Sequence, residues 1–188
     1  MTPVQILWLL VGGSWAMLEL AIVIKNRSIP VDKNNSHSPK IIWLASIFAL
    51  VMALLFKHWQ YWPIPVAYLP RQIMALLVFG MGLGLRFYAV ARLGKFFTTT
   101  AMVQTQHQLV EHGPYRFVRH PAYSGLLLGF LAAGWAMGDG LALLALCAPL
   151  IYALHQRINH EETLLVGHFG QVYYDYCLRT KKLIPWLY

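Results

Sequence analysis

Charged residues are scarce in this sequence, and acids are scarcer than bases. Only 12% of the 188 residues are Asp, Glu, Lys or Arg, and only seven residues are acidic. A soluble domain carries about 25% charged residues, whereas 58% of this chain is hydrophobic and its apolar residues form several long runs. The composition therefore excludes an ordinary soluble domain and predicts a single-domain, all-α integral membrane protein.

Cysteine is rarer still, and neither of the two cysteines suggests a disulfide framework. Cys147 lies in an apolar run and Cys177 lies near the C-terminus, a spacing that matches no metal-binding motif. His107 and His112 lack the further ligands that a zinc site needs, so no metal is expected. The sequence also lacks a basic stretch ahead of its first apolar run, which is long for a signal peptide, and we interpret that run as a retained helix.

Basic residues give the chain a net charge of +8, but their placement does not favour nucleic-acid binding. They lie in polar segments between apolar runs instead of forming a stripe or a tail. The segments 25–40, 92–119 and 157–188 each contain four Lys or Arg, together twelve of the fifteen. Five membrane spans place all three segments on one side, which the positive-inside rule makes the cytosol. The N-terminus is then expected outside, and the C-terminus and the active site inside.

Five apolar runs predict about five transmembrane helices. A helix rises about 1.5 Å per residue, so the longest runs can cross a hydrocarbon core about 30 Å thick. The second run is short, and it is extended if Lys57 and His58 reach the interface with their polar ends. The last two runs flank a Gly138-Asp139-Gly140 turn and form either a full transmembrane hairpin or one that stops short. The runs are residues 4–24, 41–56, 72–93, 126–137 and 141–154.

The polar segment 157–188 is predicted to be a cytosolic helical segment with a break at Gly170. Glu161 and Glu162 are two of the seven acids and lie side by side in it. Arg157 precedes Glu161 by four residues and can simply pair with it on one helix face. That interpretation suits either acid alone, but it accounts less well for two together near a basic cytosolic loop.

Glycines in the third run resemble a nucleotide-binding motif only superficially. Gly80, Gly82 and Gly84 follow no β-strand and belong to no βαβ unit, both of which a dinucleotide fingerprint requires. Small residues spaced four apart in a membrane helix instead allow close helix packing. We therefore expect Gly80 and Gly84 to face a neighbouring helix.

Two charged residues lie within apolar runs. Glu19 is within about two turns of Lys25, and we expect it to reach the interface or to stay protonated. Arg86 lies about two turns before the polar end of its helix, where a guanidinium either pairs with an internal acid or faces a cavity that receives an anion. The cavity is favoured, because Arg92 and Lys95 already mark the membrane surface.

Residues 113–125, here called the basic segment, are polar while their neighbours are apolar. Pro121 suits the first turn of a helix, where a missing N–H is not needed, so the next membrane helix should begin there. Arg119 and His120 would then lie at the membrane surface, at a helix start of the kind that attracts anionic groups. The alternative is an ordinary basic juxtamembrane loop.

Taken together, these motifs resemble the isoprenylcysteine carboxyl methyltransferases and their wider group of small membrane methyltransferases. The resemblance extends from about residue 85 to the C-terminus, while the first two helices match only in hydrophobicity. The Arg-His-Pro-x-Tyr motif alone is modestly specific, but its combination with paired acids and a Phe-Gly-x-x-Tyr segment is specific. The matching motifs are Leu85-Arg86, His107-Gln108-Leu109-Val110, Gly113-Pro114-Tyr115, Arg119-His120-Pro121-Ala122-Tyr123-Ser124-Gly125, Arg157-Ile158, Glu161-Glu162, Phe169-Gly170 and residues 173–176.

The resemblance implies methyl transfer from S-adenosyl-L-methionine to the carboxylate of a lipophilic or prenylated substrate that enters from the bilayer. It implies a single domain in which residues 1–70 are variable helices and residues 71–188 form the catalytic and cofactor-binding core. Arg86 would hold the acceptor carboxylate. The implied catalytic residues are Arg86, Arg157, Glu161 and Glu162. The implied cofactor-binding residues are His107, Gln108, Leu109, Val110, Gly113, Tyr115, Arg119, His120, Pro121, Tyr123 and Glu162.

Other functions remain open at this stage. A phospholipid amine or a thiol is an alternative methyl acceptor within the same membrane group, although an amine would leave Arg86 without its role. A non-enzymatic membrane scaffold with basic cytosolic loops is a second alternative. A small transporter is disfavoured because the sequence contains no convincing internal repeat. Membrane lipids are expected neighbours, and the sequence assigns no oligomeric state.

Overall fold

The computed structural model of the chain is helical over most of the residues that it describes. It describes residues 2–26, 39–94, 97 and 109–188, with only the backbone of residues 25, 26, 39–43 and 45. Within these ranges the chain forms six α-helices and no β-strand, which confirms the all-α prediction. The helices are α1 (Pro3–Asn26), α2 (Pro39–Trp59), α3 (Tyr68–Leu93), α4 (Pro121–Met137), α5 (Gly140–Phe169) and α6 (Gln171–Arg179).

Every predicted apolar run forms a helix, and the apolar helices confirm an integral membrane protein. Among the described residues, three stretches are long and apolar enough to cross a membrane. These are Pro3–Ile24, Tyr68–Leu93 and Gly140–Phe169, with mean hydropathies of 1.9, 1.9 and 1.5. α2 and α4 add shorter apolar stretches, Ser46–Trp59 and Pro121–Met137. α2 includes Lys57 and His58, as the extended form of the second run requires.

α5 is longer than the apolar run that predicted it. It continues for 30 residues through Arg157, Glu161 and Glu162 and ends at Phe169. The helix surface becomes polar from His155 and Gln156 onward, but the helix continues because neither residue prevents helical backbone geometry. The predicted break at Gly170 is confirmed: its φ is 55°, a left-handed value that glycine adopts without strain, and α6 begins directly after it.

α3 and α4 run antiparallel and touch at two glycines. A Cβ atom on Gly82 would lie 2.7 Å from the Gly125 carbonyl oxygen, and one on Gly125 would lie 2.6 Å from the Gly82 carbonyl oxygen. The expectation for Gly80 and Gly84 is wrong, since a Cβ on either meets nothing within 4 Å. Both lie two residues from Gly82, about 200° around the helix, and so face away from α4.

α1 lies beside α3 and runs in the same direction. Side-chain contacts join the two helices, and the residue numbers rise together along them. They are a hydrogen bond from Trp8 Nε1 to Gln72 Oε1 (2.7 Å), the rings of Trp8 and Trp15 packed against Phe79, and an ion pair between Glu19 and Arg86. Only 6% of the most apolar stretch of α1 is buried, compared with 44% for α5, so a narrow stripe of side chains holds α1 in place.

α2 packs against α5 through small residues. Ala49 and Ala53 of α2 and Ala142 of α5 are fully buried, and Leu146 packs with them. Small side chains let two membrane helices approach closely, where dispersion contacts are the main attraction. This interface fixes α5, which carries the two predicted acids at its far end.

A buried aspartate closes the turn between α4 and α5. Gly138 ends α4 with φ of 79°, and Asp139 follows as the N-cap of α5. One carboxylate oxygen of Asp139 accepts a hydrogen bond from the Ala142 N–H at 2.9 Å, and the other accepts one from the Trp62 N–H at 2.7 Å. Asp139 thus ties the connection between α2 and α3 to the α4–α5 turn.

Replacing Asp139 with alanine is expected to destabilise the protein by about 2–4 kcal/mol. A lost helix cap costs about 1 kcal/mol, and the part-buried Trp62 N–H left without an acceptor adds about 1–3 kcal/mol. The thermal unfolding midpoint of the detergent-purified protein measures the effect. Asp175→Ala, on the exposed side of α6, is the control and should leave the midpoint nearly unchanged. Equal midpoints for the two variants would contradict the role assigned to Asp139.

Candidate functional site

The basic segment leads directly into α4, as predicted. Its first residues form a short 3₁₀ turn (Gly113–Arg116), and α4 begins at Pro121 with His120 as its N-cap. The C-terminal residues lie alongside it: the Arg119 N–H donates to the Lys181 carbonyl at 2.8 Å, and the His120 N–H donates to the Lys182 carbonyl at 3.0 Å. The backbone thereby brings two remote polar segments of the chain together.

Glu162 joins α5 to both of these segments. Arg119 Nε donates to Glu162 Oε1 at 2.7 Å, His120 Nε2 lies 3.3 Å from the same oxygen, and Lys182 Nζ lies 3.1 Å from Oε2. The Glu162 side chain is only 15% exposed. Burial lowers the pKa of Arg119, but its hydrogen bond to Glu162 and the charge of that carboxylate outweigh this and raise the pKa overall. We call these four residues the Glu162 cluster.

Glu161 points to different partners, because successive helical residues lie about 100° apart. The Tyr123 hydroxyl donates to Glu161 Oε2 at 3.0 Å, and Arg157 Nε donates to the Tyr123 hydroxyl at 3.2 Å. Arg157 Nε and Glu161 Oε2 are 3.9 Å apart, so the simple pairing four residues apart on one helix also occurs. Tyr123 thus links the start of α4 to the polar end of α5.

Buried tyrosines surround the two acids. The Tyr176 hydroxyl donates to the Tyr115 carbonyl at 2.6 Å, and the Tyr115 hydroxyl donates to the Ala89 carbonyl at 3.3 Å. The Tyr173 hydroxyl is buried and has no hydrogen-bond partner within the part of the chain that the structure describes. Burial and the nearby charge of Glu162 raise the pKa of Tyr173, so its hydroxyl keeps its proton at neutral pH. It is therefore a buried hydrogen-bond donor.

Tyr173 was not among the predicted site residues, although it lies in the Phe-Gly-x-x-Tyr segment that carried part of the resemblance. That motif was the signal that could have identified it. A tyrosine three residues after a helix break suggests little about burial by itself, because burial here depends on packing of α6 against the other segments.

Arg86 pairs with an internal acid, which corrects the favoured expectation of a cavity. Its Nε and Nη2 atoms donate to the two carboxylate oxygens of Glu19, the Nη2 bond at 2.9 Å, and Nη1 donates to the Ala122 carbonyl at 2.9 Å. The sequence suggested no such partner for Glu19, which was expected to reach the interface or to stay protonated. α1 and α3 are parallel, so the two residues lie at the same depth. A buried guanidinium is costly unless it is paired, which explains the ion pair.

The remaining predicted residues lie close to these groups where the structure describes them. Val110 packs against the buried cluster of Ala89, Tyr115 and Ala122, and Leu109 is half-buried. Gly113 adopts φ of 65° beside the Tyr88 hydroxyl, and Pro121 is buried. His107 and Gln108 lie outside the described residues.

These features define a helical integral membrane protein whose charged site lies where α4 begins and the apolar part of α5 ends. Comparison with known proteins shows which family of membrane proteins the chain is similar to. The model of the isoprenylcysteine carboxyl methyltransferase (ICMT) family matches residues 73–167. A probable protein-S-isoprenylcysteine O-methyltransferase of Oryza sativa is 30% identical over 141 residues, covering 73% of this chain and 70% of that protein.

A further sequence relative and a solved structure are also similar to this chain. Methanethiol S-methyltransferase 2 of Bradyrhizobium diazoefficiens is 43% identical over 77 residues, which cover 39% of this chain and 27% of that protein. The solved structure of the eukaryotic intramembrane Ras methyltransferase ICMT has the same fold, with a TM-score of 0.64 and 22% identity over 99% of this chain and 68% of that one.

The chain belongs to the isoprenylcysteine carboxyl methyltransferase family. It is accordingly an enzyme of the O-methyltransferase class, and the predicted resemblance is confirmed. Methyltransferases of this family generally depend on S-adenosylmethionine, and they act on prenylated proteins in membranes, which agrees with a lipophilic substrate.

Proposed function

We propose that this protein transfers the methyl group of S-adenosyl-L-methionine to the carboxylate of a prenylated cysteine or a similar lipophilic acid. One observation carries the proposal: the first turn of α4 contacts both an internal arginine and the paired acids. His120 contacts Glu162, the Ala122 carbonyl accepts from Arg86, and Tyr123 contacts Glu161. In this proposal, a cofactor site among polar segments and an anion site among membrane helices share one helical turn.

The chemistry of the polar groups fits the cofactor. S-adenosyl-L-methionine carries a positive sulfonium and amino group, a negative carboxylate and a planar adenine. Glu161 and Glu162 suit the cations, while Arg119 and Lys182 suit the carboxylate. The unpartnered hydroxyl of Tyr173 offers a donor that nothing in the described parts of the chain uses. The proposed cofactor-binding set is His107, Gln108, Leu109, Val110, Gly113, Tyr115, Arg119, His120, Pro121, Tyr123 and Glu162, to which we add Tyr173.

The chain's own residues need only position the acceptor and exclude water. When bound, the cofactor supplies a methyl group activated by its sulfonium. A carboxyl group with a pKa of about 3.5 is already ionised at neutral pH, so no residue has to remove a proton from the acceptor. Arg86 and Arg157 hold the acceptor carboxylate in this proposal, with Glu161 and Glu162 orienting the groups around it. Holding two reactants in line can lower a barrier by about 7 kcal/mol or more.

We also propose that the site faces the cytosol and that the N-terminus lies outside. The parallel directions of α1, α3 and α5 support this, because their C-terminal ends lead into the three segments that contain twelve of the fifteen Lys and Arg. The proposal includes a single domain with its core in residues 71–188, which the location of the charged residues supports. Glu19, which lies within the variable residues 1–70, is the exception.

Methyl transfer to an acid rather than a thiol or an amine is the expected outcome of a direct assay. Protein in lipid nanodiscs is incubated with radiolabelled S-adenosyl-L-methionine and N-acetyl-S-farnesylcysteine. We expect a product that releases labelled methanol on mild alkaline treatment, as a methyl ester does and a thioether or methylamine does not. The matched acceptors are a farnesyl thiol and phosphatidylethanolamine. Labelling of either of these without ester formation would overturn the proposed acceptor class.

A further inference from the structure

The carboxylate of Glu19 occupies an edge of Arg86 well suited to a substrate carboxylate. Arg86 donates from Nη2 to Glu19 Oε2 at 2.9 Å and from Nε to Oε1. Two parallel hydrogen bonds of this kind are the strongest way in which arginine binds a carboxylate. The remaining nitrogen, Nη1, donates to the Ala122 carbonyl at 2.9 Å. An acceptor carboxylate that seeks the same bidentate contact therefore meets Glu19 already in place.

We propose that Glu19 is a specificity-determining residue that stands in for the acceptor carboxylate on Arg86 until an anionic acceptor displaces it. The inference rests on the proposed function, in which Arg86 binds the acceptor carboxylate. It adds a residue of α1, which lies outside the matched residues 73–167, to the acceptor site.

Burial explains why Arg86 needs a stand-in. The Arg86 side chain is 7% exposed and lies within the candidate span Tyr68–Leu93, where an unpaired guanidinium is strongly disfavoured. Exchange of one carboxylate for another keeps the guanidinium paired before and after acceptor binding. The site can therefore stay folded without an acceptor, while its arginine remains usable.

The loose attachment of α1 explains how Glu19 can withdraw. Only 6% of the most apolar stretch of α1 is buried. The Glu19 side chain is 16% exposed, about twice the value for the Arg86 side chain. Displacement of Glu19 therefore disturbs few packed side chains, unlike a movement of α3 or α4, which touch backbone to backbone at Gly82 and Gly125. α1 is the helix best placed to give way to an acceptor that arrives from the bilayer.

Charge explains why the exchange selects carboxylates and releases the product. A neutral thiol cannot compensate the guanidinium, so it does not displace Glu19. During transfer a carboxylate oxygen forms a bond to the methyl carbon while the sulfur–methyl bond breaks and its electron pair stays on sulfur. The product is an uncharged ester. Glu19 then outcompetes it for Arg86, and the ester leaves.

Glu19→Gln tests the proposal through binding as well as turnover. Without the competing carboxylate, N-acetyl-S-farnesylcysteine should bind about tenfold more tightly to the variant. Its methyl ester should also become a stronger inhibitor, so that kcat falls while KM falls with it. Acceptor binding that is unchanged or weaker overturns the proposal, since a residue that merely positions Arg86 would weaken binding when removed. Asp175→Asn removes one exposed carboxylate and is the charge control.

Two further variants separate the possible failures. Glu19→Asp keeps the charge but shortens the side chain, and it should give an intermediate gain in acceptor affinity if Glu19→Gln does not fold. The double variant Arg86→Gln/Glu19→Gln leaves no unpaired charge and should lose acceptor binding while still binding S-adenosylhomocysteine. Wild-type acceptor affinity in the double variant would refute the role of Arg86 in the proposed function. Loss in the double variant with no gain in Glu19→Gln would refute only the stand-in role.

Discussion

Replacement of Glu162 by glutamine is expected to weaken S-adenosylhomocysteine binding about a hundredfold and to abolish methyl transfer. The glutamine keeps the shape but leaves Arg119 and Lys182 beside each other without their shared counter-charge. In the proposed function Glu162 accepts a charge-assisted hydrogen bond from the cofactor, and a bond of this kind contributes about 1.5–3 kcal/mol. Each 1.4 kcal/mol is a tenfold change in affinity, so the loss of this bond weakens binding by up to about a hundredfold. Calorimetric titration of the detergent-purified protein measures the affinity.

Glu111→Gln is the matched control for this experiment. Glu111 pairs with Arg179 at 3.1 Å on an exposed surface, so its removal changes the net charge by the same amount at little energetic cost. It should retain wild-type affinity. A folded Glu162→Gln protein with wild-type affinity would remove the Glu162 cluster from the cofactor site and leave it with a structural role.

Replacement of Gly125 by valine should prevent α3 and α4 from packing and leave little folded protein. A Cβ at this position would lie 2.6 Å from the Gly82 carbonyl oxygen and 2.8 Å from the Arg86 backbone nitrogen. Both atoms belong to the main chain, so no side-chain rotation can relieve the overlap. Overpacking in a core typically costs about 1–3 kcal/mol and occasionally more, and we expect the upper end. The yield of monodisperse protein and its thermal midpoint report the loss.

Gly84→Val distinguishes this clash from a general intolerance of valine in α3 or α4. A Cβ on Gly84 meets nothing within 4 Å, and the residue is exposed. Yield and midpoint should therefore stay close to wild type. If the two valine variants behave alike, the contact between Gly82 and Gly125 does not hold the helices together.

The sequence predicted the features that depend on neighbouring residues. Apolar runs located the helices, because a membrane helix must satisfy its backbone hydrogen bonds internally and present apolar side chains to lipid. Pro121 located the start of α4, and Gly170 located the break after α5, since both residues act through their own backbone angles. The sequence also singled out the basic segment and the paired acids, and the structure brings them together around Glu162.

The sequence did not predict the features that depend on which helices face each other. Glu19 and Arg86 are 67 positions apart, and each had a sufficient local explanation, namely a nearby lysine or a cavity. Glycine spacing indicated close packing in α3 but not its direction, so Gly82 was missed in favour of Gly80 and Gly84. The buried Tyr173 hydroxyl was missed for the same reason, because burial is a property of the assembled helices.

α5 is longer than the hydrocarbon core of a bilayer is thick. Its N-terminus is fixed by the buried Asp139, and its 30 residues extend about 45 Å, which exceeds a hydrocarbon core about 30 Å thick. Glu162 lies roughly 33 Å along it, just beyond that core when the helix tilt is small. The length of α5 therefore sets the height of the charged groups above the lipid tails. A thicker membrane would draw these groups toward hydrocarbon and a thinner one would lift them away from it, so their position relative to the lipid depends on hydrophobic mismatch.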